Sequence, residues 1–267
     1  MDEWIDIEEG LAARLMEAGL DLCAATQVGR YNATIAARAP EFELPDYGNP
    51  RSLVVVIGNT RALWPRLLEA MAEDETLMGH PDPVDTYAQR EIERAVEEVV
   101  EETGIEASYR LAAHVPERGA SVENGGVAIQ ELARIAGMAD LSPSNLSVHP
   151  EHGPWIALRA AVVFDTEGPD DTVVVQVCKD CEAPCTDALE AALQATRASQ
   201  QDEEEPLDDP VARHWEKWLD VREACPVGEG SKYPPEQSEY HYKKDREQLR
   251  SEVKKQPKKK HKASKRD

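Results

Sequence analysis

The sequence predicts an α+β fold: a single domain with a sheet and flanking helices. Three observations carry this. Two runs, SLVVVIGN (52–59) and Trp155 to Phe164, are apolar, rich in β-branched residues and too short for helices, so they read as buried strands. Longer segments repeat apolar residues at helical spacing, most clearly TYAQREIERAVEEVVEET (86–103). The predicted order is helix, strand, helix, helix, strand, helix, strand, strand, helix, helix, which departs from strict βαβ alternation. No internal repeat is evident.

In chain order, residues 3–20 place Ile5, Ile7, Leu11, Leu15 and Leu20 near one helical face. LDLCAATQVGRYN reads as a strand and then a loop, and FELPDYGNPRS as turns. TRALWPRLLEAMAED predicts a helix with Pro65 in its first turn or at a kink. Asp85 is positioned to cap the helix that follows, and Gly104 to stop it. IEASYRLAAHV predicts a strand, GVAIQELARIAGMAD (126–140) a helix, and TVVVQVC (172–178) a further buried strand. TDALEAALQATRASQ and VARHWEKWLDVREAC (211–225) predict helices, as does SEYHYKKDREQLRSEVKK near the end. QDEEEPLDDP, at about 200–210, reads as a mobile acidic insert.

Of 267 residues, 41% are hydrophobic, which is enough for a core, and the net charge is −22. The charge is uneven. Residues 243–267 hold 12 Lys and Arg against 4 Asp and Glu, while residues 1–242 hold 18 against 48. The acidic body should repel nucleic acid and anionic membranes. Only the tail, read as the end of a helix and then a disordered arm, offers nucleic acid a contact. No apolar stretch is long enough to cross a bilayer, and residues 1–20 lack a secretory pattern. The five cysteines are an odd number, which argues against a disulfide framework. A soluble, cytoplasmic protein is expected.

The chemistry-bearing residues are few. HPEHGPWIALRAAVVF (149–164) sets Arg159 inside an apolar run, where a guanidinium needs an anionic partner. That partner is either an internal carboxylate or a ligand. HWEKWLDVR spaces His214, Trp218 and Arg222 four residues apart, so Trp218 and Arg222 either pack or wall a ligand cavity. Two arginines on one apolar pocket suit a ligand with several carboxylates or phosphates. Cys178, Cys181 and Cys185 form Cys-x-x-Cys-x-x-x-Cys, with Cys225 far downstream. Such spacing can hold zinc or an iron–sulfur cluster. It is not a ferredoxin run, and a thiol cluster without metal is the favoured reading. His149 and His152 share one turn and read as ordinary turn residues. There is no GxGxxG, P-loop or nucleophile elbow.

Several stretches, in order, resemble the cblC (MMACHC) family of cobalamin-processing proteins. They are QVGRYN (27–32), LVVVIGN (53–59), HPDPVD (80–85), QELARIAG (130–137), VHPEHGPWIALRAAVVF (148–164), HWEKWLDVR (214–222) and KYPPEQSEYHY (232–242). DPVD, GxWxxxR and WxxWxxxR are the most specific. The resemblance implies a nitroreductase-like domain over residues 1–242 with a central, mostly antiparallel sheet. It implies binding of base-off cobalamin and removal of its upper ligand. Removal would be decyanation with a flavin, FMN or FAD, or dealkylation with glutathione as cosubstrate. By resemblance, Arg159 and Arg222 fall on two positions that hold glutathione carboxylates. A third falls near Gln248, beside Arg246 and Arg250. Gln130, Arg134, Gly137, Ser147 and Leu158 fall along the corrin, with Arg134 replacing a family histidine. No catalytic residue is assigned. A cobalamin-trafficking partner and a homodimer are compatible with this reading. LARIAGMADLSPSNLSVHPEHGPW also resembles the cobalamin segment of epoxyqueuosine reductases and reductive dehalogenases. The alternatives are therefore an iron–sulfur cobalamin-dependent reductase and a non-catalytic cobalamin carrier.

Overall fold

Every residue of the strand Ser52–Asn59 (β2) is buried, because the strand has neighbours on both edges and helices on both faces. The computed structural model describes residues 3–114, 125–201 and 209–256. β2 pairs antiparallel with Leu22–Gln27 (β1) on one side and Ala157–Glu167 (β6) on the other. Ala107–Leu111 (β3) completes the order β1-β2-β6-β3, all antiparallel. Two short strands, Asp140–Leu141 (β4) and Ser147–Val148 (β5), pair separately. The fold is α+β, with a central antiparallel sheet between helices.

Strand periodicity divides the core in two. Leu53, Val55 and Ile57 of β2, with Ala160, Val162 and Phe164 of β6, face one layer. That layer contains Glu3–Glu17 (α1), Leu63–Glu73 (α3) and Pro83–Thr103 (α5). Val54 and Val56, with Ala161 and Val163, face Val28–Ile35 (α2) and Ile129–Ile135 (α6) on the other side. Pro65 lies in the first turn of α3, where its missing N–H costs nothing. Glu75–Gly79 (α4) follows, capped by the Asp74 carboxylate.

Four expectations need correction. The segment predicted as a strand at 172–178 is irregular, with Val173 80% and Val174 60% exposed. It crosses over the end of α6 instead of joining the sheet: a Cβ on Gly137 (φ 73°) would collide with the Val173 carbonyl. The helix expected over 126–140 is only α6, ended by the left-handed Gly137. The loop expected after β1 is α2. The helix expected near the end is two: Pro235–Lys243 (α10) and Arg246–Lys254 (α11), split at Lys244 with φ 53°. α11 buries Leu249 and Val253 in the α3 layer. The remaining helices are Cys185–Gln201 (α7), Pro210–Arg213 (α8) and Trp215–Glu223 (α9). Most of the acidic insert (202–208) and the end of the basic tail (257–267) lie outside the described residues. Among the described residues, no helix is long and apolar enough to cross a membrane.

Candidate functional site

Arg159 owes its position to an irregularity in the sheet. Ile57 pairs with Ala160 and Gly58 with Leu158, so Arg159 is the extra residue of a bulge in β6. A bulge re-aims the side chain it carries. Gly58 permits the close approach, since a Cβ there would lie 2.9 Å from the Ala157 carbonyl oxygen. The guanidinium leaves the sheet at the start of α5. Its Nε donates to Asn59 Oδ1 at 2.7 Å and its Nη1 to Asp85 Oδ1 at 2.8 Å.

Asp85 was read as the cap of α5. The cap is Asp82, whose carboxylate accepts from the Asp85 amide at 3.4 Å, with Pro83 at the first helical position. That arrangement releases the Asp85 side chain to meet Arg159. The pair is uneven: the arginine side chain is 11% exposed and the aspartate 41%. Burial raises the Asp85 carboxyl above its ordinary value, with Arg159 working against the rise. The neighbouring Asp82 adds to the rise, and the partly exposed Asp85 carboxylate shares Arg159 with Asn59.

Beside Arg159 lies a cavity of about 210 Å³, walled chiefly by Trp155, Arg159, Arg222, Tyr233, His241 and Tyr242. The structure thus brings Arg159 and Arg222 to one space. Arg222, on α9, donates through Nη1 to the Pro154 carbonyl and through Nε to the Tyr242 hydroxyl at 3.3 Å. Its Cζ stands 6.0 Å from the Tyr233 ring centroid. Tyr233 meets Trp155 edge-on at 5.6 Å. The Tyr233 hydroxyl is buried without a hydrogen-bond partner. Burial pushes the His241 imidazole down to about 3, helped by Arg159, Arg222 and Lys244, so the ring is neutral at ordinary pH. A cationic, aromatic cavity with an orphan hydroxyl is chemically matched to a carboxylate or phosphate.

The other candidates lie elsewhere. Trp218 does not wall the cavity: its indole donates to Thr196 Oγ1 at 3.1 Å and packs between α7 and α9. Arg222, one turn further along the same helix, reaches the Pro154 carbonyl and the Tyr242 hydroxyl instead. Arg246 donates to the Gly79 carbonyl at 2.5 Å, and Arg250 is exposed on α11; neither lines this cavity. Gln248 donates to Glu239 at 2.9 Å. Gln130 and Ser147 come together at 3.4 Å, with Gln130 also donating to the Asn145 carbonyl. Arg134 is held by Glu131 at 2.6 Å, one helical turn back. Gly137 lies under Val173, and Leu158 packs in the α6 layer. His149 and His152 stack at 4.7 Å; His149 Nδ1 accepts backbone amides and His152 bonds Ser231, so both brace their turn. Cys178, Cys181, Cys185 and Cys225 line a separate cavity.

Asn59, Asp85, Tyr233, His241 and Tyr242 escaped the sequence reading as site residues. The signals were slight: a polar residue ending the most buried strand, and the aromatic-rich stretch 232–242.

No protein-family model matches the chain. No curated protein matches it either. Solved structures do. The fold is nitroreductase-like. A C. elegans B12-trafficking protein CblC, a human MMACHC homologue, is similar over 95% of this chain and 98% of its own, with TM-score 0.65 and 15% identity. Epoxyqueuosine reductase from Streptococcus thermophilus is similar over 93% of this chain and 80% of its own, with TM-score 0.54 and 13% identity. The Bacillus subtilis enzyme is similar over 86% and 67%, with TM-score 0.51 and 13% identity. At such identities the likeness is one of fold.

Proposed function

We propose that this protein binds cobalamin base-off and removes its upper axial ligand, by flavin-dependent reductive decyanation or by dealkylation onto glutathione. The observation that carries this reading is the convergence of Arg159 and Arg222 on a cavity with an unpartnered Tyr233 hydroxyl. The likeness of fold to CblC supplies the context. Two guanidiniums and a hydroxyl donor match a glutathione carboxylate. The incoming carboxylate competes with Asp85 for Arg159, and the exposed side of the Asp85 carboxylate lets it turn to solvent. Neutral His241 leaves the two guanidiniums as the cations of the cavity, and Trp155 and Tyr233 supply its apolar wall.

The residues along α6 fit a corrin by their chemistry. Exposed Leu141 pairs with Ser147 across the small sheet, Ser147 meets the Gln130 amide, and exposed Val173 lies over Gly137. This surface joins apolar contact to amide and hydroxyl groups, as a macrocycle rimmed with amides requires. Arg134 presents a paired guanidinium, since Glu131 neutralises it. Cobalamin, when bound, supplies a cobalt–ligand bond that a reductant or thiolate can cleave. The chain's part is to hold the cofactor and fix the thiol in line. FMN or FAD as the reductant, a cytoplasmic location, a cobalamin-trafficking partner and a homodimer complete the proposal.

The test is a titration of methylcobalamin and cyanocobalamin with purified protein, followed by visible spectra and glutathione turnover. A base-off shift is expected. Arg159→Ala should lower glutathione-dependent turnover about ten-fold or more, the scale of one charged hydrogen bond, and leave the shift intact. No shift at micromolar protein refutes cobalamin binding, and unchanged glutathione kinetics in the variant refutes the clamp. A shift without any turnover supports a carrier. The alternative of an iron–sulfur cobalamin-dependent reductase requires bound iron.

A further inference from the structure

His241 lines the cavity with Arg159 and Arg222, and packing sets its orientation there. The ring lies against three others, with centroids 5.4 Å from Tyr233 and 6.4 Å from both Tyr240 and Trp64. One helical turn back on α10, the fully buried Gln237 side chain sets its Nε2 3.3 Å from His241 Nε2. Two nitrogens can share a hydrogen bond only if one of them lacks a proton. The amide nitrogen always carries two, so it donates and the imidazole Nε2 accepts. In a neutral ring the proton then sits on Nδ1. Turning the Gln237 amide over would reverse these roles, and burial decides against it. As placed, the group without a partner is the Oε1 carbonyl. Turned over, it would be the NH2, and a buried N–H without a partner is rarer than an under-satisfied carbonyl.

Among the described residues Gln237 is the hydrogen-bond partner of this ring, so Nδ1–H is a donor without an acceptor. The Tyr233 hydroxyl is a second such group. The Tyr242 hydroxyl is already spent: it donates to the Trp218 carbonyl at 3.1 Å and accepts from Arg222. Among the described residues, no Asp, Glu, Asn or Gln lines the cavity, and Ser238 adds a hydroxyl that can play either part. The wall is therefore rich in donors and poor in acceptors.

We propose that His241, through Nδ1–H, is a specificity-determining donor of this cavity, selecting a terminal carboxylate over its amide, and that Gln237 is the positioning residue that fixes the tautomer. This role rests on the glutathione reading of the same site and adds to it a donor without charge. A carboxylate only accepts, and takes hydrogen bonds from the guanidiniums, the hydroxyl and the imidazole together. An amide terminus brings N–H groups of its own to a wall that offers them few acceptors, and its oxygen is the weaker partner of a guanidinium.

Long-range proton–nitrogen spectra of isotope-labelled, ligand-free protein at neutral pH should show His241 protonated at Nδ1 and bare at Nε2, its signals assigned by their loss in His241→Asn. Gln237→Leu should release the ring to the Nε2-protonated form or a mixture. A parent ring protonated at Nε2 overturns the proposal. Calorimetric titration with glutathione should give an affinity about ten-fold higher in the parent than in His241→Phe, the scale of one hydrogen bond to a charged acceptor. His241→Asn, with an N–H of its own, should recover most of it. Of the two mono-amides of glutathione, one should bind the parent about ten-fold or more weakly than glutathione does, and His241→Phe should narrow that gap. Equal affinities in the parent and His241→Phe, with circular dichroism unchanged, overturn the proposal. A parent that does not bind glutathione refutes the glutathione reading, and acetate, followed through backbone amide shifts, then becomes the probe. Weaker acetate binding in His241→Phe upholds the donor; equal binding, or none in the parent, overturns it.

Discussion

At Arg159 the bulge leaves one residue of β6 without a counterpart on β2, and that surplus residue delivers a cation to the cavity. A regular ladder would have kept the alternation of faces and sent the side chain into a packed layer. The apolar run around Arg159 announces that an anion is needed. Which anion is a matter of three dimensions, because Asp85 and Asn59 are 74 and 100 residues away in sequence. Asp85 itself was misplaced as a cap, since Asp82 and Asp85 both precede helical residues and differ only in which carboxylate faces the amide. His241 gives this region a pH signature. In the folded protein the imidazole stays neutral down to about 3, whereas an unfolded chain protonates near 6.5. Between those values the unfolded state binds the extra proton, so stability falls as pH drops through this window. Thermal melts from pH 7 to pH 4 should show a shallower decline in His241→Gln than in the parent. Equal slopes would mean that the buried ring does not titrate as placed.

Element by element, the pattern read well where neighbours cover an element along its whole length and poorly where crossing segments decide burial. β2, β6 and α5 each show their pattern in sequence because their neighbours repeat along their whole length. TVVVQVC has the composition of a strand, but the run passes over Gly137 instead of adding to an edge of the sheet. Its exposed valines are the cost of that path. α11 is the opposite case: its basic, tail-like composition hides two apolar residues at i and i+4, Leu249 and Val253, that dock on the α3 layer. Leu249 is 2% exposed. Leu249→Ala should therefore destabilise the protein by about 2–5 kcal/mol, measured as a lower urea midpoint. A midpoint unchanged within error would show that the helix is not part of the cooperative fold.

Across the whole molecule, charge and packing act on different scales. The surface ion pairs among the described residues are mostly exposed or half-exposed, and each contributes about 0–1 kcal/mol. Against them stands a net charge of −22, whose self-repulsion acts over a Debye length of about 10 Å at 0.1 M salt. The repulsion should dominate, so the melting temperature should rise by several degrees between about 0.05 and 1 M sodium chloride. A fall would mean that the attractive pairs carry more of the stability than their exposure suggests.

The sequence by itself determined the α+β class, the strand at 52–59, a strand within 155–164, the long helix over 86–103, and the need for a counter-charge at Arg159. These are local: hydrophobic period, helix-stop glycine and a charge in an apolar run act within a few residues. The sequence also suggested one pocket for Arg159 and Arg222; tertiary structure decided that Tyr233, His241 and Tyr242 wall it, that Trp218 does not, and that Cys225 lies beside Cys178, Cys181 and Cys185. Those groupings depend on a one-residue bulge and on how α7, α9 and α10 pack. Neither leaves a periodic trace, because a contact between distant segments constrains only the few residues that meet.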